Sequence, residues 1–362
     1  MIALLYASLS LHYGLDCDLS ANQLIELKWD MWASETGLFT VEGCEGVSPT
    51  LHLNIQQEYK FVQRDASNWF HPLGFSYEPG GAHNSCPPDN PDECPELDGS
   101  SIQYHLNGQA VVDDESGFGL DAYEPFFSYP FDAWQEDCAE GGCYVTLRVP
   151  NANVSTIFYF CHIHKAMSAK IVLKGAENGT PPQFMDLLPQ APQISAFDAA
   201  CGTWDSASYA PGADKYQHCR SKHFLCGANQ QSDFNVCLAA IDCQMHQGMA
   251  VATSPNRWAT FIRQMIPHHL NAVAMAKLIL RHSVYEEDGQ GDLEGYNGLM
   301  NMAREIVNGQ NAQISFMRAW IERFEASSGT VTEMCYEKCS TYDSQSSRRL
   351  LFGSHPSDEE SC

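Results

Sequence analysis

The chain has 362 residues, of which 44% are hydrophobic and 18% are charged, a composition typical of a packed globular protein of two domains. Its formal net charge of −25 argues against a nucleic-acid partner, which requires a basic surface, and against an anionic membrane. No apolar run reaches the roughly 18 residues needed to cross a bilayer, so no transmembrane span is predicted.

The 15 cysteines indicate an oxidising compartment, so we predict a secreted protein, extracellular or in an organelle lumen. Two Asn-x-Ser/Thr triplets, at Asn153 and Asn178, are candidate glycosylation sites and agree with secretion. If Cys161 is reserved as a metal ligand, the other fourteen cysteines are enough for seven disulfides, although Cys362 could instead be the unpaired one.

Residues 1–19 begin with the apolar run MIALLYASLSLHYGL, which is either a weak signal peptide or a buried N-terminal segment. Residues 20–175 are predicted to be an all-β domain. The runs EYKFVQ, CYVTLRVP, STIFYF and AKIVLK are rich in β-branched and aromatic residues and are bounded by turn residues. Several short strands of this kind predict a sandwich of two sheets.

Within this domain, residues 79–100 are dominated by Pro, Gly and Asp and are predicted to be irregular. We expect one disulfide between Cys86 and Cys94 and another between Cys138 and Cys143, because each pair is close in sequence.

The second half of the chain begins with residues 176–200, a linker with four prolines, followed by a cysteine-rich segment at 201–242. Residues 243–328 are predicted to be helical. Two amphipathic stretches with apolar residues three and four positions apart flank the Gly/Asp-rich EEDGQGDLEG, which predicts a helical hairpin. Residues 340–362 are predicted to be a disordered tail.

A first candidate site lies in FYFCHIHKAMSAKIVL, where Cys161, His164 and Met167 are three residues apart at a strand end. Thiolate, imidazole and thioether form a soft ligand set that suits copper. A blue-copper site needs two His and one Cys, with a weak axial Met. The second His can come from DASNWFHPLGF, which contains His71.

Other interpretations of these residues stay open at this point. Cys161 could be half of a disulfide, and Met167 could be an ordinary core residue. His71 could be a surface residue, with His83 or His105 as the second imidazole ligand.

The two motifs together resemble the cupredoxin family of plastocyanin-like blue-copper domains. Its second motif often reads Tyr-x-Cys-x-x-His-x-x-Met-x-x-x-Ile, and YFCHIHKAMSAKI is similar throughout. The resemblance covers residues 20–175 and implies a Greek-key sandwich with one type 1 copper. The implied copper ligands are His71, Cys161, His164 and Met167. The chain departs from the family pattern at Ala169, where Gly is common, and in its long insertion at 79–140.

His162 is not included among the ligands, because the residue beside Cys161 on a strand points to the opposite face. A multicopper oxidase would need several His-x-His pairs for its trinuclear cluster. The chain has only the pair formed by His162 and His164, so we do not expect an oxidase of that type.

A second candidate site combines Met and His at helical spacing, which suits Cu(I) or Cu(II). The candidate ligands are Met245, His246 and Met249 in CQMHQGM, Met265, His268, His269 and Met275 in QMIPHHLNAVAM, and Met317 on the second helix. Met265 and His269 share a helix face because they are four residues apart. The same pattern is also typical of a Met-filled core without a metal.

The helical segments FIRQMIPHHLNAVAMAKLIL and AREIVNGQNAQISFMRAWI resemble the family catalogued as domain of unknown function 305. The resemblance covers about residues 243–325. It implies a ferritin-like helical bundle and copper binding by Met and His, since some bacterial periplasmic members bind copper. Leu270 and Asn271 depart from the Gln-Gly that usually follows the His pair.

We therefore predict a copper-binding protein that couples type 1 electron transfer to copper storage, delivery or detoxification, with an unidentified redox or copper-exchange protein as partner. The alternatives are a plain electron carrier, a cuprous or ferrous oxidase, and a disulfide-rich structural module without metal. No acid–base or nucleophile constellation occurs in the sequence, so an enzyme is the less favoured reading.

Overall fold

The computed structural model describes residues 12–83, 97–112, 118–149, 153–176, 179, 194–227, 230–282 and 293–328. The chain divides into two compact units between residues 193 and 194. No helix in the described ranges is long and apolar enough to cross a membrane. Residues 1–11, the predicted Cys86–Cys94 disulfide and the predicted tail at 340–362 lie outside those ranges.

The N-terminal unit contains two β-sheets, with strands numbered along the chain. One sheet has the order β1 (Asp16–Asp18), β4 (Thr50–Asn54), β11 (Ala169–Lys174), β10 (Thr156–Cys161) and β6 (Leu73–Ser76). The other has the order β3 (Leu38–Val41), β2 (Leu24–Asp30), β5 (Tyr59–Val62), β9 (Tyr144–Leu147), β7 (Ile102–Leu106) and β8 (Gln109–Ala110). The chain crosses repeatedly between the sheets, which confirms the predicted Greek-key-like all-β architecture.

Aromatic side chains pack between the two sheets. Phe61 of β5 contacts Phe75 of β6 edge to face, with ring centroids 5.0 Å apart, and Phe39 of β3 lies 6.4 Å from Tyr159 of β10. Every residue of β10 from Ile157 to its end is buried. Burial of both faces of this strand therefore places its last residue, Cys161, inside the unit rather than at the surface.

Two short helices, α1 (Leu120–Phe126) and α2 (Phe131–Cys138), lie in the chain between β8 and β9. The sequence pattern of the insertion did not predict them. Trp134 and Cys138 are four residues apart in α2 and both are fully buried, which attaches this helix to the core. The predicted disulfide between Cys138 and Cys143 is confirmed.

The C-terminal unit is helical, as predicted. Its helices are α3 (Ala196–Cys201), α4 (Asp233–Gly248), α5 (Arg257–His282) and α6 (Leu293–Ser328). The six-residue α3 occupies the end of the predicted linker. The helices α5 and α6 form the predicted antiparallel hairpin, because Arg263 near the start of α5 pairs with Glu325 near the end of α6 at 3.0 Å.

Two disulfides, Cys201–Cys237 and Cys219–Cys243, lie in the C-terminal unit, and Cys17–Cys44 is a further one in the N-terminal unit. With Cys138–Cys143, four disulfides are present in the described residues, which is typical of an oxidising compartment. Cys226 is an exposed free cysteine, so the fourteen cysteines other than Cys161 do not all form disulfides.

Removing the Cys201–Cys237 disulfide by a double alanine substitution should lower the free energy of unfolding of the helical unit by about 4 kcal/mol. The bridge closes a loop of 36 residues, and loop-closure entropy gives that magnitude. Urea unfolding followed by helical circular dichroism measures the change. The matched control, Cys226→Ala, should leave the midpoint unchanged; an equal shift in the control would contradict the assignment.

Candidate metal centre

Three ligand atoms converge where β10 ends. Strand β10 pairs with β6 so that Cys161 lies opposite Leu73, which brings the preceding His71 beside the thiol. His164 follows in the loop between β10 and β11. The Cys161 Sγ lies 3.7 Å from His71 Nδ1 and 3.6 Å from His164 Nδ1. The three ligand atoms are within 4.8 Å of one another, and all three residues are buried.

This spacing fits a single bound metal ion. Metal–nitrogen and metal–sulfur bonds of roughly 2.0 and 2.3 Å, about 110–120° apart, separate the two ligand atoms by about 3.5–3.8 Å. The observed separations of 3.6 and 3.7 Å lie in that interval. A set of one thiol and two imidazoles is a donor set that suits copper. In the described ranges, no other group of three His, Cys, Asp or Glu side chains has a metal-ligating arrangement.

Met167 lies on the same loop, three residues after His164, and is 2% exposed. The loop around it is held from two sides. The Thr36 hydroxyl donates to the Lys165 carbonyl at 3.2 Å, and the Tyr13 hydroxyl donates to the Ser168 carbonyl at 3.2 Å. These two hydrogen bonds fix the loop that carries His164 and Met167.

His71 is held by contacts that the sequence analysis missed. Its ring stacks on Trp29 with centroids 4.1 Å apart. The buried Gln63 amide donates to the His71 carbonyl at 2.6 Å, and its oxygen accepts from the Leu73 N–H at 2.9 Å and the Tyr123 hydroxyl at 3.0 Å. The only signal for Gln63 in the sequence is a polar residue directly after the buried strand EYKFV.

The Cys161 thiol is fully enclosed. Burial raises its pKa to about 12, so without a cation the sulfur is a neutral thiol at physiological pH. The His164 backbone N–H donates to the Cys161 Sγ at 3.4 Å and favours the thiolate. A thiolate at this position therefore requires a positive charge beside it, which a bound metal would supply.

The other histidines of this unit lie outside the ligand set. His162 points to the opposite face, with Nε2 3.2 Å from the Tyr104 hydroxyl and Nδ1 3.7 Å from the Glu124 carboxylate. Burial lowers the pKa of His162 to about 3. His83 donates from Nε2 to the Cys161 carbonyl at 2.9 Å, and His105 stacks on the Tyr144 ring. Of the three candidates for the second imidazole, the geometry therefore favours His71.

In the helical unit, Met265 and His269 of α5 and Met317 of α6 line one groove of about 350 Å³, together with Gln313. His269 donates from Nδ1 to the Met265 carbonyl at 2.8 Å. Because a carbonyl can only accept, the proton is on Nδ1, and the Nε2 lone pair is left available for a metal. Metal-ligating histidines commonly have this arrangement.

The remaining predicted Met and His residues lie elsewhere. Met245 lines a separate cavity of about 390 Å³ bounded by α4, α5 and the end of α6. His246 packs edge to face on Phe224, and desolvation lowers its pKa. Met249 caps the end of α4, Met275 is 40% exposed, and His268 is exposed beside His269. The structure thus groups Met265, His269 and Met317 and separates the other five residues from them.

Comparisons with known proteins found one family model and two solved structures that resemble part of this chain. The family model for a domain of unknown function (DUF305) matches residues 189–321 and 258–349, in the helical half of the chain. The chain is also similar, over less than half of its length, to crystal structures of the McoA multicopper oxidase from the hyperthermophile Aquifex aeolicus. The 2F4 variant is 13% identical with a TM-score of 0.21, covering 47% of this chain and 31% of that one. The second structure is 12% identical with a TM-score of 0.20, covering 46% and 29%. This chain therefore spans less than a third of that oxidase, and no curated protein matches its sequence.

Proposed function

We propose that this chain is a copper-binding protein of an oxidising compartment, secreted or lumenal, that combines type 1 copper electron transfer with copper storage, delivery or detoxification. The observation that carries the proposal is the convergence of the buried Cys161 thiol with the His71 and His164 imidazoles at metal-ligating distances. Met167, buried on the same loop, is the proposed weak axial ligand.

Copper bound to these residues would supply a Cu(II)/Cu(I) couple for one-electron exchange with a protein partner. The chain's own contribution is to hold the ligands in one arrangement and to exclude water. Trp29 and Gln63 fix His71, and hydrogen bonds from Thr36 and Tyr13 fix the loop after Cys161. A buried, preorganised ligand set changes little when the charge of the site changes, which favours fast electron transfer.

The helical unit is proposed to hold additional copper in the groove between α5 and α6. The thioethers of Met265 and Met317 prefer Cu(I), and the His269 Nε2 can bind either oxidation state. This second module favours copper handling over a plain electron carrier.

Titrating the purified chain with Cu(II) tests the first site. We expect an intense thiolate-to-copper absorption band near roughly 600 nm that saturates at one copper. Cys161→Ser should abolish the band, because serine offers no thiolate. The matched control is Cys226→Ser, which removes the exposed free thiol and should leave the band unchanged.

The absence of a band in the wild-type chain, with Cys161 found in a disulfide by peptide mapping, would reject the type 1 site. A normal band with no further copper bound would instead support the plain electron carrier and reject the storage function.

A further inference from the structure

Among the described residues of the helical unit, the exposed large apolar side chains all lie on the α5–α6 hairpin. On α5 they are Trp258, Phe261, Met275 and Ile279, and on α6 they are Leu299, Met302 and Phe316. Their exposed fractions range from 40% for Met275 to 66% for Phe316. Scattered exposed apolar residues need no explanation, but these seven are not scattered.

All seven occupy a regular repeat of alternating three- and four-residue steps. On α5 the repeat runs through positions 258, 261, 265, 268, 272, 275 and 279, and on α6 through positions 299, 302, 306, 309, 313, 316 and 320. None of the positions reached on either helix is Asp, Glu, Lys or Arg. We call this face the outer seam. Eleven of the fourteen positions are apolar, and the other three are His268, Gly309 and Gln313. A heptad repeat dominated by apolar residues is the pattern of a helix–helix interface.

The hairpin already has an inner seam. Ile262 and Val273 of α5 and Val307 and Ile314 of α6 are buried, and they also recur at heptad-related positions. Helices with two apolar seams are typical of a bundle in which each helix contacts two others. The described helices supply the contacts of the inner seam but leave the outer seam exposed.

We propose that the outer seam is the interface of a homodimer, in which the α5–α6 hairpins of two copies pack face to face as a four-helix bundle. A two-fold axis places the same surface of each copy in the contact, and an apolar surface on both helices is complementary to itself. The seam is about 33 Å long and two helices, or roughly 20 Å, wide, so a dimer would bury about 1,300 Å² in total. That area lies within the range of stable, specific interfaces.

Charge also favours a second copy over a basic partner. Although the chain carries a net charge of −25, the outer seam contains no charged residue that could select a partner of opposite sign. The like charges of two copies would lie outside the contact, where salt screens them. Dimerisation should therefore tighten, rather than weaken, as the salt concentration rises.

The dimer would also cover the groove proposed to bind copper, because Met265 and Gln313 are outer-seam positions. The dimer does not depend on copper, since its contacts are apolar. The test therefore uses the full chain in EDTA, so that failure of the dimer and failure of the copper proposal can be told apart.

Sedimentation velocity at protein concentrations of roughly 1–50 µM would detect a dimer with a micromolar dissociation constant, which is the weakest affinity expected for an interface of this size. The wild-type chain should sediment as a species whose mass is twice the 40.2 kDa of one copy. Phe316→Glu should weaken the dimer at least about tenfold, because it buries a charge in the seam. Met302→Glu, two heptads away on the same helix, should do the same if Phe316→Glu fails to fold.

The matched control is Val112→Glu, which changes an exposed apolar residue outside the helical unit and should leave the dimer intact. A wild-type monomer across the whole range would overturn the proposal. So would a dimer that Val112→Glu dissociates as strongly as the seam variants do, or a dimer that both seam variants leave unchanged.

Discussion

Replacing Gln63 with leucine should destabilise the N-terminal unit by about 4 kcal/mol or more, because each buried polar group left without a partner costs about 1–3 kcal/mol. The variant leaves four such groups, the His71 carbonyl, the Leu73 N–H, the Tyr123 hydroxyl and the Asn68 amide oxygen. Urea unfolding measures the loss. Copper affinity should fall as well, since the backbone that carries His71 loses its attachment to the end of β5.

Tyr123→Phe is the matched control for this variant. It removes a single hydroxyl that donates to the Gln63 oxygen, while both backbone bonds of Gln63 remain. The expected loss is about 1 kcal/mol, with the copper affinity nearly unchanged. If Gln63→Leu costs no more than Tyr123→Phe and binds copper normally, then Gln63 does not position His71.

The residue types that converge at the first candidate site could be predicted from the sequence, while the contacts that hold them in place could not. Cys161, His164 and Met167 lie on one loop, so their spacing alone indicates that they can meet. His71 is distant in sequence and was one of three candidates until the pairing of β6 with β10 placed it beside the thiol. Gln63 acts through tertiary contacts to residues on two other segments, which no local pattern records.

The fold was predictable where local patterns dominate. Alternating β-branched and aromatic runs predicted the sandwich, and three- and four-residue periodicity predicted the hairpin. The helices α1 and α2 were missed because the surrounding insertion is rich in turn residues. Burial of Trp134 and the Cys138–Cys143 disulfide stabilise α2 through tertiary contacts that outweigh the local composition.

Helical geometry explains why the predicted Met/His group divides. Met275 is ten residues beyond Met265, so it lies about 15 Å further along the axis of α5, beyond the groove. Met245 is on α4 and faces a different side of α5 from the groove. Residue type and proximity in sequence favoured one group, but distance along α5 separates Met275 from it and the side of α5 separates Met245.

A Met265→Leu substitution should weaken Cu(I) binding by the helical unit about tenfold or more, while Met275→Leu should leave it unchanged. Both changes exchange side chains of similar volume, so each should cost less than about 1.5 kcal/mol of stability. Only Met265 lines the groove that contains His269 and Met317, and only its thioether can join them around one ion. Competition titration with a Cu(I) chelator measures the affinity, in a Cys161→Ser background that removes the first site.

Comparing the Met265→Leu and Met275→Leu variants also distinguishes direct binding of Cu(I) by one thioether from a general effect of losing a methionine on the hairpin. Both residues lie on the outer seam, and leucine keeps that seam apolar, so neither substitution should alter association of the chain. Equal losses from the two variants would mean that Cu(I) binds through exposed thioethers without a defined site. An unchanged affinity in both would reject the groove as a copper site and leave Met265 and Met317 as residues that fill the space between α5 and α6.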